Sequence, residues 1–213
     1  MNINADEQKQ EKTSEFIYLK DYVPTIQEDV RYYISDNFVG RPIVGYKKPV
    51  CLLTKAAANA LFGVQSILYK KNFGLRVFDA YRPQMAVEDF FQWSQEPQDQ
   101  KMKKAYYPRI NKADLFDLHY IARHSGHTRG STIDVTLVDL LTGEPLDMGT
   151  PFDFMDPLSH PACRTITLAQ FNNRMLLQTT MMEFGFLPIE TEWWHFTLKN
   201  EPYKSVYFNF LVE

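Results

Sequence analysis

Apolar positions recur at helical spacing in three stretches of this chain and alternate with polar ones in two others. Thr54 suits a helix N-cap, and after it Ala57, Ala60, Leu61, Val64, Ile67 and Leu68 fall on one stripe, predicting a core helix to about residue 71. Residues 75–79, behind Gly74, read as a short buried strand that stops at Tyr81-Arg82-Pro83. Pro83 then opens a second helix through Trp93, because its fixed φ suits the first helical turn. A third helix is predicted over residues 167–184, with Leu168, Phe171, Met175 and Met182 as its apolar positions and Gly185 as its stop.

The alternating stretches are strands. Ile133, Val135 and Leu137 alternate with Thr132, Asp134 and Thr136, which puts Asp134 on the less apolar face. Over residues 193–198, Trp194, Phe196 and Leu198 share one face, and Trp193, His195 and Thr197 share the other. Asp134 and His195 can therefore line one cleft. Glu192 lies three residues before His195, and residues three apart in a strand point to opposite faces. If Glu192 joins His195, the chain must bend ahead of the strand. Helices flanking a mainly antiparallel sheet make the expected class α+β, with a site in a cleft on the sheet.

Composition changes this picture little. At 213 residues one domain is expected, over 15–213, behind a polar tail at 1–14 that buries too little apolar surface to order. The 16 Phe, 12 Tyr and 3 Trp can fill a substantial core, and a net charge of −3 gives no reason to expect a nucleic-acid partner. The longest apolar run falls far short of a membrane span. The first 15 residues lack the apolar stretch of a secretory signal, so the expected compartment is the cytoplasm. A chain whose signal had been removed would read the same and belong to the periplasm. Cys51 and Cys163 have no CxxC neighbours and read as reduced, buried thiols. No pattern speaks to oligomeric state.

The chemistry concentrates in Ser125-Gly-His127-Thr-Arg-Gly-Ser-Thr-Ile-Asp134 and Glu192-Trp-Trp-His195. A zinc ion that performs chemistry takes three protein ligands and keeps one position for water. His127, Asp134 and His195 make such a set, and Glu192 is left beside a ligand, where a general base is expected. His124 competes with His127, since the two form an H-x-x-H pair. His119 and His160 lack such company and read as surface or hydrogen-bonding residues. Arg82 follows an apolar strand, where it serves either as a salt bridge to Asp79 or as a donor to the oxyanion of carbonyl hydrolysis. Asp153, in Gly149-Thr-Pro-Phe-Asp153, has an Asx turn as its plain reading, and Trp193 and Trp194 read as core and pocket wall.

These segments, with Asp29-Val-Arg-Tyr-Tyr, Asn37-Phe-Val-Gly, Val77-Phe-Asp-Ala-Tyr-Arg-Pro-Gln84, Met148-Gly-Thr-Pro-Phe-Asp153 and Glu192-Trp-Trp-His-Phe-Thr-Leu198, resemble the D-alanyl-D-alanine dipeptidases of the vancomycin-resistance type. Ser-x-His-x6-Asp and Glu-x-x-His are specific when found together in this order. The resemblance implies one Zn2+ per chain on His127, Asp134 and His195, and so prefers His127 to His124. It implies Glu192 as base, Arg82 as stabiliser of the tetrahedral intermediate, and Asp153 and Ser125 at the substrate pocket, with Asp153 on the free amino end. The implied substrate is a small dipeptide. The related alternatives are a zinc D,D-carboxypeptidase or cell-wall endopeptidase with an open groove, or a zinc-binding module without catalysis. Thr128 stands where the family more often carries serine. Glycopeptide resistance and recycling of wall peptides would use the same chemistry.

Overall fold

The computed structural model describes residues 13–213, so most of the polar tail expected at 1–14 lies outside the described residues; Thr13 and Ser14 lead into the first strand through Phe16 N donating to Thr13 O at 3.1 Å. The elements run β1 (Phe16–Tyr18), α1 (Leu19–Tyr22), β2 (Gln27–Glu28), β3 (Leu52–Thr54), α2 (Lys55–Tyr69), β4 (Phe73–Asp79), α3 (Gln84–Ser94), α4 (Lys103–Tyr106), β5 (Thr132–Asp139), α5 (Leu168–Glu183), β6 (Phe186–Pro188) and β7 (His195–Leu198). β1 and β3 form a small antiparallel pair. The main sheet has the order β2-β4-β5-β7-β6, antiparallel throughout except where β2 joins β4. The class is α+β, as the strand and helix patterns predict, and the buried side chains form one core cluster.

Thr54 caps α2 by accepting from Ala57 N at 3.4 Å, and Ala57, Leu61, Val64 and Leu68 are buried as the spacing predicts. Each of those larger aliphatics contributes about 1.5–3 kcal/mol of transfer free energy. α2 and α5 pack on each other and against β4 and β5. Some edges and faces differ from expectation. The strand at β4 begins two residues early, α2 ends at Tyr69, and Pro83 is the extended N-cap of α3 (ψ 152°) instead of its first helical residue. Cys51 is buried, but Cys163 is only half-buried.

The largest departure is the inner face of α5. Its ends are placed by a Thr167/Gln170 capping box and by Gly185 at φ +86°, close to the predicted bounds. The residues turned inward, however, are Arg174, Leu177, Thr180 and Met181, while Leu168 and Met182 are exposed. Polar groups can occupy an inner face when carbonyls satisfy them, as Thr180 Oγ1 does by donating to Leu176 O at 2.7 Å, so the apolar stripe misreads this helix.

Gly130 ends a 3-10 turn (Gly126–Arg129) with φ +81° and lets the chain enter β5. A Cβ there would lie 2.3 Å from the Phe16 ring. Gly130→Ala combines a left-handed backbone with an overpacked contact, and we expect a loss on the order of 2–4 kcal/mol in chemical denaturation. A change near zero would mean that the turn and ring relax together.

Candidate active site

Strand register makes the base of the site. Asp134 of β5 stands directly opposite His195 of β7, so on this antiparallel pair their side chains rise on the same face. Thr132 and Thr197, one step along the same row, are joined through their hydroxyls at 2.8 Å. On the other side of β5, an irregularity in β4 sets Asp79 opposite Asp134. A carboxylate, a carboxylate and an imidazole thus lie in a row across three strands. A one-residue slip would turn His195 away from Asp134.

His127 reaches this row from the 3-10 turn, whose cap is Ser125: its Oγ accepts from His127 N at 3.3 Å. Nδ1 of His127 donates to Ala80 O at 2.7 Å, which leaves Nε2 as a lone-pair donor turned inward. Nε2 lies 3.3 Å from Asp134 Oδ2 and 3.2 Å from His195 Nδ1, and His195 Nδ1 lies 3.1 Å from Asp134 Oδ1. The three residues offer ligand atoms within 4.8 Å of one another. Asp134 Oδ1 is buried and accepts no well-directed hydrogen bond despite that short approach. Converging lone pairs and an unsatisfied carboxylate oxygen fit a divalent cation.

Glu192 lies in the turn ahead of β7, which begins at His195 and not at Trp193. The bend required by strand geometry is there, and Glu192 Oε2 comes within 3.5 Å of His195 Nδ1. Arg82 combines both of its sequence readings. Its Nε donates to Asp79 Oδ2 at 2.9 Å, while Nη2 lies 3.6 Å from Asp134 Oδ2 and the guanidinium rests over the Tyr32 and Phe90 rings. Asp153 is buried at φ +59° and accepts from Tyr32 Oη at 2.9 Å. Ser125 lines the same cavity.

The site is short of positive charge. Asp79, Asp134, Asp153 and Glu192 converge on one guanidinium, Arg82. Burial, then the Asp134 and Asp153 charges, push the Glu192 carboxyl well above its ordinary range, against the pull of Arg82. Asp153 is pushed up to about 8, by burial first and then by Asp134. Burial would raise Asp134 too, but the adjacent His127 and His195 bring it below the usual carboxylate range. With all four acids ionised and both imidazoles neutral, as metal ligands must be, three negative charges stay uncompensated. A divalent cation and one ammonium would balance them.

Other residues fall elsewhere. His124 packs at a tilt against the Tyr207 ring, with centroids 5.1 Å apart, and is outside the cluster, whereas His160 is hydrogen-bonded to Tyr120 Oη at 3.2 Å. Trp193 and Trp194 are core, not cavity wall. The residue-level reading overlooks Tyr32 and Tyr120, both of which line the cavity. Tyr32 stands in the Asp29-Val-Arg-Tyr-Tyr segment that carries the resemblance, a signal that could have pointed to it. Tyr120 had none.

The sequence profile of the D-Ala-D-Ala dipeptidases, peptidase family M15, matches residues 12–213. The chain belongs to this family. It is similar to the D-alanyl-D-alanine dipeptidase of Streptomyces coelicolor, 43% identical over 94% of this chain and 99% of that one. It is also similar to those of Enterococcus faecalis, 42% identical over 92% and 98%, and Enterococcus faecium, 38% identical over 93% and 98%. In this dipeptidase-family chain the cavity is about 160 Å³, walled by Tyr32, Phe90, Tyr120, Ile121 and Ile189. Clefts for drug-sized ligands run to roughly 300–1,000 Å³, so this one suits a substrate of few atoms. Among the described residues no helix is long and apolar enough to cross a membrane.

Proposed function

We propose that this peptidase hydrolyses free D-alanyl-D-alanine to two D-alanines, with one zinc ion held by His127, Asp134 and His195. The observation that carries this reading is the small cavity with four buried carboxyl groups around one guanidinium, whose raised proton affinities at Asp153 and Glu192 show that the site lacks the positive charge a dication and the ammonium of an unblocked dipeptide would bring. When bound, zinc lowers the pKa of a water toward neutrality and polarises the scissile carbonyl.

The chain's own residues supply the rest. Glu192, in its water-poor environment, has a raised proton affinity that suits it to take the water proton and return it to the leaving amine. The Arg82 guanidinium, clamped by Asp79, offers its remaining donors to the oxyanion that forms on the carbonyl carbon. Asp153 receives the substrate ammonium and trades a costly isolated carboxylate for an ion pair. Tyr32 donates to Asp153 and orients it. Ser125 borders the pocket while holding the His127 turn. An N-acyl group would remove the charge that Asp153 needs, and a cavity of about 160 Å³ is small for a longer chain.

This favours a dipeptidase over a carboxypeptidase or endopeptidase on longer wall peptides. A catalytically silent zinc module would have no need of Glu192 and Arg82 beside the metal. The test is released D-alanine from D-Ala-D-Ala and from its N-acetyl form, with and without a chelator. We expect the free dipeptide to be turned over far faster than its N-acetyl form, with both activities lost on chelation and restored by zinc. Turnover of only the blocked substrate would sink the dipeptidase reading.

A further inference from the structure

Arg174 is a charged side chain in the wrong place for a simple core. It lies on the inner face of α5 with 1% exposure, and its hydrogen bonds go to backbone carbonyls, with the Asp147 charge acting on it from a distance. Burial draws its pKa down to about 10. Leucine or methionine would fill an inner helix position without this cost, so the guanidinium must be kept by what it binds. Nε donates to Met148 O at 2.6 Å, and Nη1 donates to Leu158 O and His160 O, each at 2.9 Å. Nη2 is buried and makes no hydrogen bond.

Those carbonyls stand at the two ends of the 148–160 loop, and one planar group ties them together. The loop presents Asp153 and Met155 to the cavity. It is also fastened to the turn that carries Glu192. Trp193 N donates to Ser159 O at 3.0 Å, and Trp193 Nε1 donates to Thr150 Oγ1 at 2.9 Å. Thr150 Oγ1 in turn meets Ser159 Oγ at 2.9 Å. From Arg174 a continuous set of contacts therefore reaches the loop of Asp153 and the turn of Glu192.

We infer that Arg174 is a positioning residue for hydrolysis: by closing the 148–160 loop from behind, it holds Asp153 and the Glu192 turn at the cavity. The inference rests on the reading of Asp153 as partner of the substrate ammonium. Lysine keeps the charge but offers one nitrogen, which cannot reproduce the planar three-carbonyl clamp.

The experiment compares Arg174→Met and Arg174→Lys with the parent for near-UV circular dichroism, zinc per chain, kcat, KM and the ratio of free to N-acetylated D-Ala-D-Ala turnover. We expect folded, zinc-loaded variants with KM raised about tenfold or more and a reduced ratio, and no rescue by lysine. A folded, zinc-loaded Arg174→Met with parental KM and ratio would overturn the inference. If neither variant folds, Thr150→Val decides, since it removes the side-chain fastening of loop to turn through which Arg174 would act and leaves only the backbone one; raised KM and a lower ratio support the inference, and parental values overturn it. Asp153→Asn, measured alongside, separates the two readings. If it leaves the ratio unchanged, the ammonium assignment fails; if it lowers the ratio while Arg174→Met does not, only the role of Arg174 fails.

Discussion

Glu192→Gln is expected to keep one zinc per chain while kcat for D-alanyl-D-alanine falls by about 10²–10⁴-fold. Glutamine matches the carboxylate in shape but cannot accept a proton, so the change removes the acid–base function and little else. Metal retention follows from the geometry, because His127, Asp134 and His195 form a set without Glu192. The fold should also tolerate the change, since burial and the Asp134 and Asp153 charges already work against an ionised Glu192. With the substrate contacts of Asp153 and Arg82 intact, KM should move little and the loss should fall on kcat. Zinc content and steady-state rates measured on one preparation check both parts. A variant with more than about a tenth of parental kcat would show that another group moves the proton.

His195→Ala should fail differently. It removes one of three ligand atoms and leaves Asp134 Oδ1 and His127 Nε2 facing a gap, too few donors for a tightly held tetrahedral zinc. We expect zinc content to drop by on the order of tenfold or more and hydrolysis to reach background, because metal-assisted activation of water is lost with the ion. The protein should stay folded: β7 is held to β5 by backbone pairing, and the His195 side chain is 15% exposed at the cavity mouth. Circular dichroism and metal analysis separate loss of zinc from loss of fold. Normal zinc in His195→Ala would mean that a residue outside the His127, Asp134 and His195 set completes the site, and the ligand assignment would fall.

Much of the site was legible because its residues obey short-range geometry. Alternation in β5 puts Asp134 on a polar face, and the three-residue spacing of Glu192 and His195 demands the bend that the structure contains. The α2 stripe was equally readable, since a helix that covers a sheet with aliphatic residues leaves a simple periodic trace. His127 against His124 could not be decided from residue types, because both stand in the same polar segment. The structure separates them through the hydrogen bond to Ala80 O, which orients one ring inward, while His124 packs at a tilt against Tyr207.

The inner face of α5 was misread for a related reason. Arg174 looks like a solvent-facing residue until its three carbonyl partners, drawn from a loop some 14–26 positions earlier, are in place. Tyr32 and Asp153 likewise meet across 121 positions. Such pairs leave no local pattern, since each partner is ordinary in its own segment.

By itself the sequence determined the elements α2, β4, α3, β5, α5 and β7, the polar face of β5, the bend before β7 and the stock of acids and imidazoles, all of which follow from chain stereochemistry and residue type. Only the tertiary structure decided which of those groups meet: strand register paired Asp134 with His195, a left-handed glycine delivered His127, and packing enclosed four carboxylates around one guanidinium. The reason is physical. Stereochemistry acts between neighbours, whereas the electrostatics of a site depend on the distance between charges and on the exclusion of water around them, and both are products of the whole fold.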